Sequence, residues 1–228
     1  MRAGAVLLAA GSGSRFGKGR PKQLHLLGNR PLFYWPLRTL SRIPEIAEIV
    51  LVAPQTATGL FERWVGKWRF RTLKSVVPGG STRNESVCRG IQALSADLDV
   101  VLVHDAARPL VSSRLILDVL KASQAYGASL AAIPVKDTLK RERPGSFVKE
   151  TVKRDGLWMA QTPQAFRMNL AARWFAKPAI SVTDDVQVFE KSNVRVKLVP
   201  GSPMNLKVTY PEDLELCRSY WQSGRSRS

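Results

Sequence analysis

Three short apolar runs constrain the fold more strongly than any other feature of this chain. They read AGAVLLA at residues 3–9, EIVLVA at 48–53 and DVVLVH at 99–104. The runs are apolar almost throughout instead of alternating with polar residues, which is typical of strands covered on both faces. Helical patterns lie between them, so we expect an α/β fold with a mostly parallel sheet, right-handed crossovers and flanking helices.

Further segments continue this alternation. The other predicted strands cover residues 73–78, 128–135 and 194–199. The predicted helices cover 31–43 (awkwardly including Pro36), 82–94, 113–126 and 167–175, and two more begin near Thr183 and at Pro211. Thr82 and Glu85 have the spacing of a capping box at the start of one helix. In the last helix, Leu214, Cys217 and Trp221 share one face.

The segment at residues 136–158 interrupts the alternation. It has two polar, β-leaning stretches around the turn signal RPGS, and too few apolar residues for a core of its own. We interpret it as a protruding β-hairpin arm. An arm that reaches onto a second subunit and a mobile surface hairpin are the two alternatives.

Ligands of such sheets bind beyond the carboxyl ends of the strands, which directs attention to the loops after Ala9, Pro78 and His104. The first of these loops reads AGSGSRFGKGRPKQ at residues 10–23. Its glycines allow backbone N–H groups to converge on an anion. A dinucleotide-binding motif would need glycine where Phe16 stands, and the spacing also departs from that of a Walker A motif.

The excess of positive charge favours anionic partners. Thirty-five Lys and Arg residues stand against 18 Asp and Glu, which gives a formal net charge of +17. The basic residues are scattered, without a basic stripe or a nucleic-acid-binding motif, so we expect no specific nucleic acid as a partner. No apolar run is long enough for a membrane span, and Cys88 and Cys217 form no CxxC pair. We therefore expect a cytoplasmic protein without a membrane partner.

Seven motifs in order along the chain carry a resemblance to a known family. They are LAAGSGSRFGKGRPKQ, GGSTRNESV, VHDAARP, PVKDT, TVKRDGLWMAQTPQAF, TDD and NLKVTYPEDL. Together they resemble the 2-C-methyl-D-erythritol 4-phosphate cytidylyltransferases of the non-mevalonate isoprenoid pathway. The resemblance implies a single domain over residues 1–228 with a Rossmann-like nucleotidyltransferase fold. It also implies a homodimer with exchanged arms, CTP and methylerythritol phosphate as substrates, and Mg²⁺.

The same resemblance implies roles for individual residues. The nucleotide-binding set is Ala9, Ala10, Gly11, Arg15, Lys22, Gly80, Ser81, Ser86, Asp105, Ala106 and Lys207. The catalytic set is Arg15, Lys22 and Lys207. The substrate-binding set is Arg108, Thr138, Arg154, Thr162 and Thr183, with Thr138 and Arg154 reaching from the partner's arm.

Asp105 follows an apolar strand, where a carboxylate is costly unless it is paired or bound to a metal. The resemblance makes it the Mg²⁺ ligand, and an ion pair with Arg108 is the alternative. Ser81 stands where we would also expect an acidic residue in relatives, so its individual role stays open. Arg83 and Glu85 are assigned to loop structure and helix capping.

The expected reaction is attack by the sugar phosphate on the α-phosphorus of CTP, with release of pyrophosphate. A phosphate monoester is already ionised at neutral pH, so no general base is required. Two other functions remain as alternatives. The first is a cytidylyltransferase for another polyol phosphate, notably ribitol 5-phosphate. The second is a basic nucleic-acid-binding protein that has inherited the fold but has an idle site.

Overall fold

A seven-stranded sheet lies at the centre of the computed structural model, which describes residues 1–11, 13–17, 20–175, 185–189 and 193–225. The strands are β1 Ala3–Leu8, β2 Leu26–Leu27, β3 Arg30–Pro31, β4 Ile46–Ala53, β5 Leu73–Pro78, β6 Val100–Asp105, β7 Ala128–Pro134, β8 Leu139–Arg143, β9 Phe147–Val152, β10 Trp158–Arg167 and β11 Val196–Pro200. The helices are α1 Tyr34–Ser41, α2 Thr58–Gly66, α3 Arg83–Gln92, α4 Ser113–Tyr126, α5 Met168–Trp174 and α6 Pro211–Arg225. The order in the main sheet is β11-β7-β10-β6-β1-β4-β5.

The apolar runs form strands with helices on both faces, as the sequence predicts. In β1, Ala5 and Leu7 belong to the core shared with α1, α2 and α4. Val6 and Leu8 belong to the core shared with α3 and α5, on the other face. Because side chains alternate across a strand, a strand with helices on both faces has to be apolar at nearly every position.

β10 is the main departure from the predicted alternation. It lies between β6 and β7 and is antiparallel to both, whereas the other neighbouring strands of this sheet are parallel. Its residues Gln161, Thr162 and Gln164 are buried, and they interrupt the apolar pattern that would reveal a strand. α2 is a second element that the sequence patterns do not include.

The arm forms a two-stranded sheet of β8 and β9, which pair with each other and, among the described residues, with no strand of the main sheet. Trp158, at the end of the predicted segment of about 136–158, pairs with Pro134 inside the main sheet. The turn lies at RPGS as predicted, with Gly145 in the left-handed region at φ 87°. Nearly all residues of the hairpin are exposed.

Most of the other predicted elements are confirmed within a few residues. α1 is shorter than the predicted helix, and Pro36 lies in its first turn, where a missing N–H breaks no intrahelical hydrogen bond. Leu214 and Cys217 of α6 pack with Trp221 against the small β2–β3 sheet region. The predicted helix start at Thr183 lies outside the described residues, and the part that follows is a 3₁₀ turn at Val186–Phe189.

Candidate active site

A cavity of about 500 Å³ lies at the carboxyl ends of β1 and β6, where the loops identified in the sequence meet. Its lining includes most of the predicted nucleotide-binding residues, namely Ala10, Gly11, Arg15, Lys22, Gly80, Ser81, Ser86, Asp105 and Lys207. Gln23, Arg83 and Thr209 also line it, although the sequence patterns do not assign them to the site. The cavity is therefore strongly cationic, with Asp105 as the carboxylate in its lining.

The glycine-rich loop after β1 forms one wall. Gly13 has φ 65°, in the left-handed region that favours glycine, and it precedes a 3₁₀ turn at Ser14–Phe16. The ring of Phe16 packs on that of His25 with centroids 4.7 Å apart, and Gln23 Nε2 donates to the Gly11 carbonyl at 3.4 Å. These contacts hold the described part of the loop against the segment that carries Lys22.

Lys22 has an unusual position for a loop lysine, because only 8% of the residue is exposed. Burial, together with the positive charge of Lys207, lowers the pKa of the Lys22 ammonium to about 8 from its ordinary value of 10.5. The nearby charge of Arg15 acts in the same direction, and Asp105 opposes it. An anion in the cavity would remove this repulsion, so the geometry favours binding of a phosphate group near Lys22.

The loop between β5 and α3 forms a second wall. Gly80 N–H donates to Ser86 Oγ at 3.1 Å, and the Ser86 hydroxyl donates to the Thr82 carbonyl at 3.0 Å. A Cβ on Gly80 would lie 2.2 Å from Glu85 Cβ, so the loop closes against α3 only with glycine at this position. Thr82 accepts from Glu85 N–H at 3.1 Å, which confirms the predicted cap.

Ser81 is oriented by Glu85. Its N–H and its hydroxyl both donate to Glu85 Oε2, at 2.7 and 2.8 Å. The donors of Ser81 are therefore occupied, and toward a ligand the residue presents only acceptor lone pairs. The Glu85 contacts confirm its assignment to loop structure and capping.

Asp105 pairs with two cations from different parts of the chain. Its Oδ1 accepts from Arg83 Nη1 at 2.6 Å, and its Oδ2 lies 2.7 Å from Lys207 Nζ. Burial would raise the pKa of the Asp105 carboxyl, but the charges of Arg83 and Lys207 outweigh burial and hold that pKa well below its ordinary value. The carboxylate is therefore ionised and carries the negative charge that pairs with these two cations.

These contacts correct two sequence-based interpretations. Asp105 is paired with Arg83 and Lys207, and the guanidinium of Arg108 instead donates from Nη1 to the Asn205 carbonyl at 2.6 Å. Arg83 is not confined to loop structure, because its side chain lines the cavity and also contacts Asp185 at 2.7 Å.

A buried polar network lies behind Asp105. Thr162 Oγ1 accepts from Asp105 N–H at 3.0 Å and lies 3.1 Å from His104 Nδ1, while His104 Nε2 lies 3.3 Å from the Arg108 carbonyl. Burial lowers the pKa of His104 to about 4, so the ring is neutral at pH 7. A carbonyl requires a donor, so Nε2 carries the proton and Nδ1 accepts from the Thr162 hydroxyl. Asn205 extends the network by donating to the Thr162 carbonyl at 2.8 Å.

The remaining predicted site residues lie outside the lining of this cavity. Ala9 and Ala106 are buried at strand ends, and their N–H groups donate to the carbonyls of Val52 and Leu8. Arg108 and Thr162 are buried in the network described above. Thr138 and Arg154 are exposed at the base of the arm, and Arg154 Nη1 donates to the Lys136 carbonyl. Thr183 lies outside the described residues.

The residues that line the cavity could hold a divalent cation only together with a bound triphosphate. The part of the chain that the structure describes contains no group of three or more His, Cys, Asp or Glu residues that could hold a metal ion. Asp105 supplies one carboxylate in the cavity. Mg²⁺ is commonly bound by one or two carboxylates together with substrate phosphates and water, so Asp105 and a triphosphate satisfy this requirement.

A larger cavity of about 890 Å³ lies at the other end of the sheet, between Ile91 of α3 and Phe175. Its charged lining residues are Asp99 and Arg167, and Arg167 donates to the carbonyls of Gln124 and Ala125. The smaller cavity is therefore the better candidate for an active site, because it gathers cations at the carboxyl ends of the strands.

Among the described residues, no helix is both long and apolar enough to cross a membrane.

The known proteins that match this chain point to one family. Residues 3–223 match the family model for IspD, 2-C-methyl-D-erythritol 4-phosphate cytidylyltransferase. A protein of that name from Nitrosomonas eutropha is 42% identical over 224 residues, covering 93% of both chains. The bifunctional enzyme IspD/IspF of Desulfotalea psychrophila is 43% identical, and the chain spans only 57% of its length. The crystal structure of 4-diphosphocytidyl-2C-methyl-D-erythritol synthase from Anaerococcus prevotii superposes with a TM-score of 0.83 at 33% identity, covering 97% of this chain and 98% of that one.

The lowered pKa of Lys22 predicts a pH dependence of nucleotide binding. Above about pH 8 the free protein has lost the Lys22 proton, and binding of CTP has to restore it. We expect the affinity for CTP to weaken above pH 8, approaching about tenfold per pH unit, and binding to take up a proton. Isothermal titration calorimetry from pH 7 to 9.5, in buffers of different ionisation enthalpy, measures both quantities.

The matched control is Lys22→Arg, because a guanidinium keeps its charge over this range. Its affinity for CTP should not change between pH 8 and 9.5. Equal pH profiles for the wild type and Lys22→Arg would show that Lys22 does not titrate in the site.

Proposed function

The chain belongs to the 2-C-methyl-D-erythritol 4-phosphate cytidylyltransferase family, and on that premise we propose that it joins CTP and 2-C-methyl-D-erythritol 4-phosphate. The products are 4-diphosphocytidyl-2-C-methyl-D-erythritol and pyrophosphate, a step in the synthesis of isoprenoid precursors. One observation carries the proposal: Arg83 and Lys207 pair with Asp105 in a cavity that Lys22 also lines, between the glycine-rich loop and the Gly80 loop.

The reaction requires positive charge more than proton transfer. A phosphate oxygen of methylerythritol phosphate attacks the α-phosphorus of CTP, and the bond from that phosphorus to the oxygen bridging to the β-phosphate breaks. The bonding electrons leave with pyrophosphate. The nucleophile is already ionised near neutral pH, which removes the need for a general base. His104 fits this picture, because it is neutral and both of its ring nitrogens have partners inside the protein.

The cations act on charge that develops in the transition state. Lys22 is buried at the wall formed by the glycine-rich loop, where its ammonium can follow charge from the α-phosphate to the leaving group. Arg15 is exposed at the cavity and is positioned to contact the outer phosphates. Lys207 has a side chain 40% exposed, so it can leave Asp105 and bind the α-phosphate.

The Gly80 loop is the proposed base and ribose pocket. Because both donors of Ser81 are occupied by Glu85, its hydroxyl and carbonyl can only accept. The exocyclic amine of cytosine is a donor, whereas uracil carries a carbonyl oxygen at that position. A site that offers acceptors there favours cytosine over uracil.

Asp105 is the proposed protein ligand of Mg²⁺, with the remaining ligands supplied by the triphosphate and water. When bound, the cation would neutralise phosphate charge. Asp105 is suited to this role because it is ionised and its Oδ2 contacts an exposed, exchangeable ammonium.

We also propose that the active protein is a homodimer with exchanged arms. The hairpin exposes Phe147 and Val148 to 62% and 60%, and next to it Met159 is 48% exposed. An isolated two-stranded hairpin is marginally stable in water, so burial of this apolar surface on a second subunit would stabilise it. Closed two-fold dimers are the commonest arrangement for such exchange. Exchange would bring Thr138 and Arg154 to the substrate phosphate of the neighbouring site.

The cytoplasmic location and the absence of a specific nucleic-acid partner stay predictions.

The substrate assignment predicts a preference among polyol phosphates. With CTP and Mg²⁺, pyrophosphate release should be at least about tenfold faster, measured as kcat/KM, for methylerythritol phosphate than for ribitol 5-phosphate. UTP in place of CTP provides the matched test of the base pocket and should be a poorer substrate. Equal or higher kcat/KM with ribitol 5-phosphate would contradict the proposed substrate, and it would favour the other polyol-phosphate cytidylyltransferase activity.

The arm predicts complementation between two inactive variants. In an exchanged dimer, Lys22→Ala and Arg154→Ala chains together form one site with both defects and one site with neither. Each mixed dimer then has one intact site of two, so it should recover up to about half of the activity of a wild-type dimer. Mixed dimers are verified with two different affinity tags. If they form and activity stays at the level of the parents, the arm serves its own chain.

A further inference from the structure

The guanidinium of Arg83 joins two carboxylates from different parts of the fold. Its Nη1 donates to Asp105 Oδ1 at 2.6 Å, at the end of β6. Its Nη2 and Nε donate to Asp185 Oδ2 and Oδ1 at 2.7 and 3.2 Å. The contact with Asp185 is bidentate, and only the planar fork of arginine can form it while a third N–H remains on a second carboxylate.

Asp185 is the fixed end of this chain of contacts. The residue is fully buried, and its N–H donates to Gln164 Oε1 at 3.0 Å. The N–H of Val186 donates to the same oxygen at 3.1 Å, so the backbone at Asp185 is tied to β10. Arg83 and Asp105 line the cavity, whereas Asp185 is not part of its lining. The fork on Asp185 therefore holds Arg83 from outside the cavity.

The two oxygens of Asp105 have partners of different mobility. Oδ1 is held by Arg83, whose side chain is 25% exposed and is anchored on the fully buried Asp185. Oδ2 is held by Lys207, whose flexible side chain is 40% exposed and has the cavity beside it. A cation or phosphate that enters the cavity can therefore displace the partner of Oδ2 without disturbing that of Oδ1.

From this arrangement, and resting on the proposed function, we propose that Arg83 is a positioning residue that acts on the reaction through Asp105. Its fork on Asp185 fixes Asp105 Oδ1, which keeps Oδ2 directed toward Lys207 and the incoming nucleotide. Asp185 in turn acts through Arg83. Neither residue is required to touch the reacting phosphates, and removal of either would let the Asp105 carboxylate rotate.

A double-mutant cycle with Arg83→Lys and Asp105→Asn tests this dependence. Arg83→Lys keeps the charge and removes the fork, and it should lower kcat/KM for CTP about tenfold in the presence of Asp105. In the Asp105→Asn background the same substitution should cost less than about twofold, because the group it positions is gone. Asp185 does not line the cavity, and Asp185→Asn should nevertheless lower kcat/KM for CTP several-fold.

Controls separate positioning from a purely structural role. Arg114 and Asp118 form an exposed ion pair on α4 at 2.8 Å, and Arg114→Lys or Asp118→Asn should leave kcat/KM unchanged. Melting temperatures report folding, and isothermal titration of CTP with Mg²⁺ in the absence of acceptor gives a second reading of the cycle. A purely structural role would lower the melting temperature and the active fraction without changing KM or the affinity for CTP.

Effects of Arg83→Lys and Asp105→Asn that multiply in the double variant would overturn the proposal. Wild-type kcat/KM and CTP affinity in folded Arg83→Lys would do the same. If the wild type released no pyrophosphate with any polyol phosphate, the proposed function would fail. The cycle measured as CTP affinity would still decide whether Arg83 acts through Asp105.

Discussion

The rest of the site depends on the pairing of the ionised Asp105 carboxylate with Arg83 and Lys207. It lies at the end of a strand that is buried on both faces, where an unpaired charge would cost several kcal/mol. Arg83 from the start of α3 and Lys207 from the segment before α6 compensate it. The charge at the end of this central strand thus pairs with two of the cations that line the cavity.

The cavity lining has more cationic side chains than the one carboxylate of Asp105 can neutralise, and this explains the affinity that we expect for phosphates. Lys22 and Lys207 are close enough for the second to lower the pKa of the first, so the free site contains unfavourable repulsion between like charges. A triphosphate would relieve that repulsion. In the proposed reaction, the same cations would stabilise the additional charge of the transition state.

Much of this arrangement could be predicted from the sequence, because the signals were local. α4 has the predicted bounds and β1 ends one residue before the predicted end, since continuous apolar runs, caps and helical periodicity depend on near neighbours. β10 lacks the apolar signature of a strand, because Gln161 and Gln164 bond into a buried polar network. The sequence predicts only a local role for Arg83, because its partner Asp185 lies 102 residues away and no local pattern indicates such a pair.

We propose that positive charge placed by the fold, and not a general base, drives the reaction. The most direct test is the turnover of Lys22→Ala with CTP, Mg²⁺ and methylerythritol phosphate, measured beside Lys121→Ala on the exposed face of α4. We predict that kcat falls by about 100-fold or more in Lys22→Ala, with its melting temperature close to that of the wild type, and that Lys121→Ala keeps wild-type turnover. Near-normal turnover in a folded Lys22→Ala protein would contradict the claim.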